Sequence, residues 1–341
     1  FFFSSRRRHT RFKCDWSSDV SLPISMTSWL DAHPVRRKTS RRVPHRRVAA
    51  TAAMRRSIPT PPPAPPEVLL WKTTRFDIAL DRPQVMGIVN LTPDSFSDGG
   101  LFHAPAQAIE HAQRLLDEGA NILDLGAEST RPGAPPVGEA EEWRRLHPVL
   151  QEVLRWHVPI SVDTFRPETM QRALELGVDI INDIWGLRQP GALSTVAGSQ
   201  AGLCLMHMHG EPETMQLSPM QGDAVAQVRD FLQQRLTEVH SAGVSPSRVL
   251  LDPGIGFGKS VAQNFSLLAR QSELLPLGPL LIGWSRKSSL GAVTGLEVSQ
   301  RLVPSVVAAV LAAERGASVL RVHDVAETVA ALAVWRQTQG G

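Results

Sequence analysis

Eight short apolar runs in this 341-residue chain each end in side chains able to do chemistry. Asn90 closes the first, ahead of Thr92-Pro93-Asp94-Ser95-Phe96-Ser97-Asp98-Gly99-Gly100. Asp124 closes the second, ahead of Glu128-Ser129-Thr130-Arg131-Pro132-Gly133. The third ends in Asp163-Thr164, the fourth in Asn182-Asp183, and the fifth in His207-Met208-His209. Asp252-Pro253-Gly254-Ile255-Gly256-Phe257-Gly258-Lys259 follows the sixth, Ser285-Arg286-Lys287-Ser288 the seventh, and Arg321-Val322-His323-Asp324 the eighth. Asp163, Asn182 and Asp252 suit the N–H edge of a guanidine-like heterocycle. Lys287, Arg321 and His323 suit an anion, and arginine can grip phosphate oxygens with two parallel hydrogen bonds. Together they point to a nitrogen heterocycle bearing a phosphate or pyrophosphate. There is no obvious Ser-His-Asp or Cys-His arrangement for nucleophilic catalysis. His207 and His209 share a strand face, but without a third ligand at close spacing no structural metal is expected there.

These residues share one site only if the apolar runs are strands of one sheet. Val85–Val89, Ile122–Leu125, Ile160–Val162, Ile180–Ile181, Leu203–Met206, Val249–Leu251, Leu280–Ile282 and Val319–Val322 read as strands. Between and after them lie helical segments at Ala106–Glu118, Glu139–Trp156, Pro167–Leu176, Ala192–Gly198, Ala224–Ala242, Val261–Glu273, Val298–Glu314 and Val325–Trp335. Strands apolar on both faces and separated by helices indicate a parallel sheet covered by helices. Eight such units predict a closed (β/α)8 TIM barrel, whose active site lies at the strand C-termini. The corner after strands seven and eight commonly takes phosphate in this fold. An open doubly wound sheet is the alternative, but no Gly-x-Gly-x-x-Gly follows the first strand. A capping role for Asp163 or Asp252 at the helices that follow is the plainer alternative to ligand binding.

The composition, 42% hydrophobic and 20% charged, excludes wholly disordered and collagen-like chains. No run of 18 apolar residues is present, so no membrane partner is expected. Cys14 and Cys204 are too few for a disulfide framework, and a reducing, cytoplasmic setting is expected. The net charge of +3 conceals a split. Residues 1–66 hold 14 Lys and Arg against 3 acidic residues, whereas residues 67–341 hold 22 against 30. The acidic body is a poor nucleic-acid binder. Residues 1–66 are expected to form a disordered basic tail. Phe1 to Val20 resembles translated sequencing-adapter read-through, and Met26 or Met54 is the expected start. Pro59 to Pro66 has six prolines in eight residues, a stiff linker. The folded catalytic domain is expected over 67–341.

Seven of these motifs, in order, resemble those of the dihydropteroate synthases, the pterin-binding barrel family. They are Val85 through Gly100, Asp124 through Gly133, Ser161-Val162-Asp163-Thr164, Ile181-Asn182-Asp183, Asp252 through Lys259, Ser285 through Ser288 and Arg321 through Asp324. The resemblance covers about residues 68–338 and departs from the family at His209, where Arg is usual.

It implies condensation of 6-hydroxymethyl-7,8-dihydropterin pyrophosphate with 4-aminobenzoate, giving 7,8-dihydropteroate and pyrophosphate by an SN1-like path with Mg²⁺. By resemblance, Asp163, Asn182, Met206, Asp252 and Lys287 hold the pterin. Asn90, Arg321 and His323 meet the pyrophosphate, with Asn90 also a metal ligand. Phe96, Thr130, Pro132, Phe257 and Ser288 line the aminobenzoate pocket. Asp98 and Arg131, with Lys287, serve catalysis, the first two from mobile loops. Sulfonamides are implied as inhibitors and a homodimer as the assembly. A methyltetrahydrofolate-dependent methyltransferase is the nearest rival, but it does not need the Ser-Arg-Lys and Arg-x-His anion corner. A non-catalytic binding protein using the basic tail is the rival of another class.

Overall fold

A computed structural model describes residues 68–92, 100–129, 137–211, 214–215 and 217–339. Two three-residue strands, β1 (Leu70–Lys72) and β2 (Asp77–Ala79), form an antiparallel hairpin. The chain then alternates strand and helix: β3 (Gln84–Asn90), α1 (Gly100–Asp117), β4 (Ile122–Gly126), α2 (Glu139–Val153), β5 (Ile160–Asp163), α3 (Pro167–Glu175) and β6 (Ile180–Asp183). It continues through α4 (Ala192–Ala197), β7 (Gly202–Met206), α5 (Ala224–Ser241), β8 (Val249–Asp252), α6 (Val261–Ala269), β9 (Leu280–Ile282), α7 (Ser288–Thr294), α8 (Leu302–Glu314), β10 (Ala317–Val322) and α9 (Val325–Gln339). Strands β3 to β10 run parallel and close into a barrel in the order β10-β3-β4-β5-β6-β7-β8-β9. The expected TIM barrel is therefore the observed fold. The expected tail, 1–66, lies outside the described residues.

Two apolar layers hold the barrel. The larger one joins outward side chains such as Val89, Leu125, Val162, Leu205 and Leu251 to the helices. The smaller lies inside the ring, where Met86, Ile122, Ile180, Cys204, Leu250, Leu281 and Val319 converge on Trp71 of the hairpin. Trp71 closes the lower end of the barrel and satisfies its indole N–H on the Arg248 carbonyl at 3.0 Å. Gly202 makes room for it, since a Cβ there would stand 3.0 Å from Trp71 Nε1 and from Thr73 Cγ2. Arg75, just beyond β1, fastens the hairpin by donating to both carboxylate oxygens of the fully buried Asp179.

The structure differs from the sequence expectation at several helices. The segment expected as one helix over Val298–Glu314 splits into a 3-10 turn at Val298–Gln300 and α8. Glu297 and Gln300 cap that turn reciprocally, and Pro304 sits in the first turn of α8, where its missing N–H costs nothing. Likewise α6 ends at Ala269, with a 3-10 turn at Gln271–Glu273. The hairpin and α7 were not expected at all.

Candidate active site

The barrel's parallel register brings the C-terminal residues of neighbouring strands side by side. Asp163 of β5 pairs with Asn182 of β6, and Met206 of β7 with Asp252 of β8. Asn90 of β3 lies against Gly126 of β4. A Cβ on Gly126 would stand 3.5 Å from the Asp163 Cβ, in ordinary van der Waals contact. Arg321, on β10, reaches over β3 into this ring. Its Nε donates to Asp124 Oδ2 at 2.6 Å and its Nη2 to Asp163 Oδ2 at 2.7 Å. Asn182 Nδ2 donates to the same Asp124 oxygen at 3.3 Å. The sequence groups Arg321 with Lys287 and His323 in a cationic corner, apart from the carboxylates. The structure interleaves the signs, because the long arginine side chain crosses the mouth to the acids.

The electrostatics follow from burial. Desolvation lifts Asp163 to about 7, against the pull of Arg321 and with help from Asp124 and Asp183. Burial also raises Asp252, although the Gly254 N–H donates to its Oδ1 at 2.7 Å and draws it back down. Burial works against the charge of Arg321, but Asp124 and Asp163 outweigh it and hold the guanidinium above its usual range. Lys287 is lowered to about 8 by burial, opposed by Asp252.

The loop after β8 follows directly on Asp252, carries Phe257 and is fixed by its own chemistry. Gly254 has φ +68, and a Cβ there would collide with the His207 carbonyl oxygen at 1.9 Å. Only glycine permits that approach. The buried Lys259 Nζ, its pKa lowered to about 7 by burial, donates to the carbonyls of Gly254 at 2.8 Å, Phe257 at 3.0 Å and His207 at 3.3 Å. Asn264 accepts from the Gly256 N–H at 2.8 Å and donates to Ser289 Oγ at 2.9 Å, linking this loop to α7. On the other side of the loop, Lys287 Nζ stands 4.3 Å from the centre of the Phe257 ring.

Met206 and Phe257 belong to an apolar cluster with Ile184, Met208 and Met215, a surface suited to a flat ring. Ser288 is exposed at the start of α7. His323 hydrogen-bonds through Nδ1 to Ser285 Oγ at 3.0 Å, which ties the ends of β9 and β10 together. His207 is buried edge-on to Phe231 and its pKa falls to about 2 through burial, so it is neutral. Phe96, Asp98, Thr130, Arg131 and Pro132 lie outside the described residues.

In the sequence Asp124 stands at a strand end with no role attached to it. The structure puts it at the centre, fully buried between Arg321 and Asn182. Its type and position were visible in the sequence. The reach of Arg321 toward it was not.

The family described as pterin-binding enzymes matches residues 86–323. The chain is 50% identical over 274 residues to the dihydropteroate synthase of Neisseria meningitidis serogroup B, covering 78% of this chain and 96% of that protein. A solved Xanthomonas albilineans dihydropteroate synthase with 4-aminobenzoic acid superposes with a TM-score of 0.77 at 48% identity, covering 81% of this chain and 100% of that one. A Burkholderia cenocepacia dihydropteroate synthase complexed with 7,8-dihydropteroate gives 0.74 at 47% identity, covering 80% and 97%.

Proposed function

The chain belongs to the pterin-binding enzymes and, within them, to the dihydropteroate synthases, which are transferases; from that premise we propose how its own residues carry out the condensation. The substrates are 6-hydroxymethyl-7,8-dihydropterin pyrophosphate and 4-aminobenzoate. The observation that carries the reading is the convergence of Asp163, Asn182, Asp252 and Arg321 at one barrel mouth, with Lys287 against Phe257 beside Asp252's loop.

Asp163, Asn182 and Asp252 accept and orient the N–H groups of the pterin, while Met206 and Phe257 supply apolar surface for its ring. Arg321, Lys287 and His323 stabilise the departing diphosphate, on which charge develops as the methylene C–O bond breaks. The electron-rich dihydropterin spreads the positive charge left on the methylene carbon, which makes an SN1-like path reasonable. The aminobenzoate nitrogen then forms the new C–N bond and gives its proton to water. An arylamine is already neutral at pH 7, so no strong base is needed. Thr130, Pro132, Phe96 and Ser288 are proposed for the aminobenzoate side, where sulfonamides would compete, and Asp98 and Arg131 for closing the mouth against water.

Mg²⁺ fits this donor set as an ion shared with the substrate. Among the described residues no three His, Cys, Asp or Glu side chains form a metal cage. Asn90 would supply one hard amide oxygen, and the diphosphate oxygens and water are of the hard oxygen type that Mg²⁺ takes. Bound there, the ion would neutralise charge on the leaving group.

The assembly is proposed as a homodimer in the cytoplasm. On α8, Val303, Val307 and Leu311 recur every fourth residue and are 68%, 52% and 38% exposed, one apolar stripe suited to a second copy. Residues 67–341 are proposed as the catalytic domain, with 1–66 dispensable.

The test is formation of dihydropteroate from labelled 4-aminobenzoate, the pterin pyrophosphate and Mg²⁺. Wild-type protein should form product and Asp163→Asn should not. A folded wild-type protein that binds pterin but forms no product would favour the methyltransferase reading.

A further inference from the structure

Arg321 presents three nitrogens on a rigid plane. Asp124 takes Nε and Asp163 takes Nη2, whereas Nη1 makes no hydrogen bond to any described residue. Two anchors on two different nitrogens fix both the tilt and the rotation of the guanidinium. The anchors are not equivalent. The Asp163 side chain is 14% exposed and Arg321 22%, so a ligand can reach both. Asp124 is fully buried. No ligand at the mouth can touch it, so its hold on Arg321 persists when Asp163 turns to a ligand's N–H groups.

Asp124 has a second partner. The oxygen that binds Arg321 also accepts from Asn182, while its other oxygen is buried without a hydrogen-bond partner among the described residues. A carboxylate so placed is tolerable only because the guanidinium compensates it, so the pairing binds each partner to the other.

We infer that Asp124 is a positioning residue: from beneath the mouth it holds Arg321 with Nη1 turned to an anionic group, and so sets diphosphate affinity without touching substrate. The inference rests on the reading of Arg321 as a diphosphate-binding residue.

The experiment is a double-mutant cycle on the full chain, with inorganic pyrophosphate and, separately, a pterin without phosphate as titrants. Asp124→Asn should weaken pyrophosphate binding by about tenfold or more, the scale of a lost hydrogen bond to a charged group. Pterin affinity should change by less than about threefold, through the weaker Asn182 contact. In an Arg321→Ala background the same Asp124→Asn change should leave pyrophosphate affinity within about twofold. An Asp124→Asn effect that is undiminished without Arg321 would overturn the inference, as would no effect in either background. If Asp124→Asn does not fold, Asp124→Glu, which keeps the charge but displaces it by one methylene, carries the same cycle with the same two outcomes. Failure of wild-type protein to form dihydropteroate would defeat the proposed reaction instead, and the binding cycle reads independently of it.

Discussion

Lys287 holds its ammonium 4.3 Å from the centre of the Phe257 ring, on the loop that follows Asp252. A cation over an aromatic face gains about 0.5–2 kcal/mol, depending on desolvation. Burial nevertheless lowers Lys287 to about 8, with Asp252 opposing the fall. The lysine thus loses its proton within the range of ordinary assays.

That sets a pH expectation. The depressed lysine is charged below about 8 and neutral above it. Inorganic pyrophosphate affinity should fall above that pH, by up to about tenfold per unit. Lys287→Arg should remove the step, because arginine stays charged throughout. The pyrophosphate's own ionisation is common to both proteins, so the comparison isolates the side chain. Parallel titration curves from pH 7 to 9.5 for both would show that Lys287 does not contribute.

Trp71 should matter for stability and little for chemistry. It fills the lower end of the barrel, opposite the mouth. Trp71→Ala should cost about 3–5 kcal/mol in denaturant unfolding, the usual range for emptying a large aromatic site. Substrate affinities of the remaining folded protein should be unchanged. A loss of affinity without loss of stability would contradict the separation of the two ends.

Gly254→Ala is expected to be severe despite adding one methyl group. The left-handed φ of +68 disfavours a side chain, and the added carbon meets the His207 carbonyl at 1.9 Å. The strain alone costs about 1–3 kcal/mol. Because the Gly254 N–H holds Asp252, pterin affinity should fall with stability. Calorimetric binding of a pterin reads the first effect and thermal unfolding the second. Normal pterin affinity would mean that Asp252 keeps its position without this hydrogen bond.

Val307→Asp places a charge in the middle of the α8 stripe. If that stripe pairs two copies, sedimentation should give a monomer for the variant and a dimer for the wild type. Dimers from both proteins would assign the contact to another face.

The barrel was legible because its strands are apolar on both faces, a pattern that few other folds produce. Their polar ends were legible for the same reason, since each polar residue interrupts an apolar run at a fixed place. The three-residue strands β1 and β2 are too short to show any period. Helix α7 has seven residues, with Gly291 at its middle, and its sequence Ser-Ser-Leu-Gly-Ala-Val-Thr shows no apolar stripe. The interleaving of acids and cations was not legible for another reason. Strand position locates the Cα of Arg321, but its side chain spans the mouth, and its direction is decided by Asp124 and Asp163. Lys259 reads as one more cation beside the site, yet it serves three carbonyls of its own surroundings.

Those three carbonyls have a consequence for association. A glycine-rich segment free to wander would lose much of its conformational entropy when a ligand settled against it. Here the Lys259 Nζ, bonded to those carbonyls, has already removed that freedom during folding. The loss is therefore charged to the stability of the barrel, and a ligand that meets Asp252 and Phe257 finds one wall of its site already ordered.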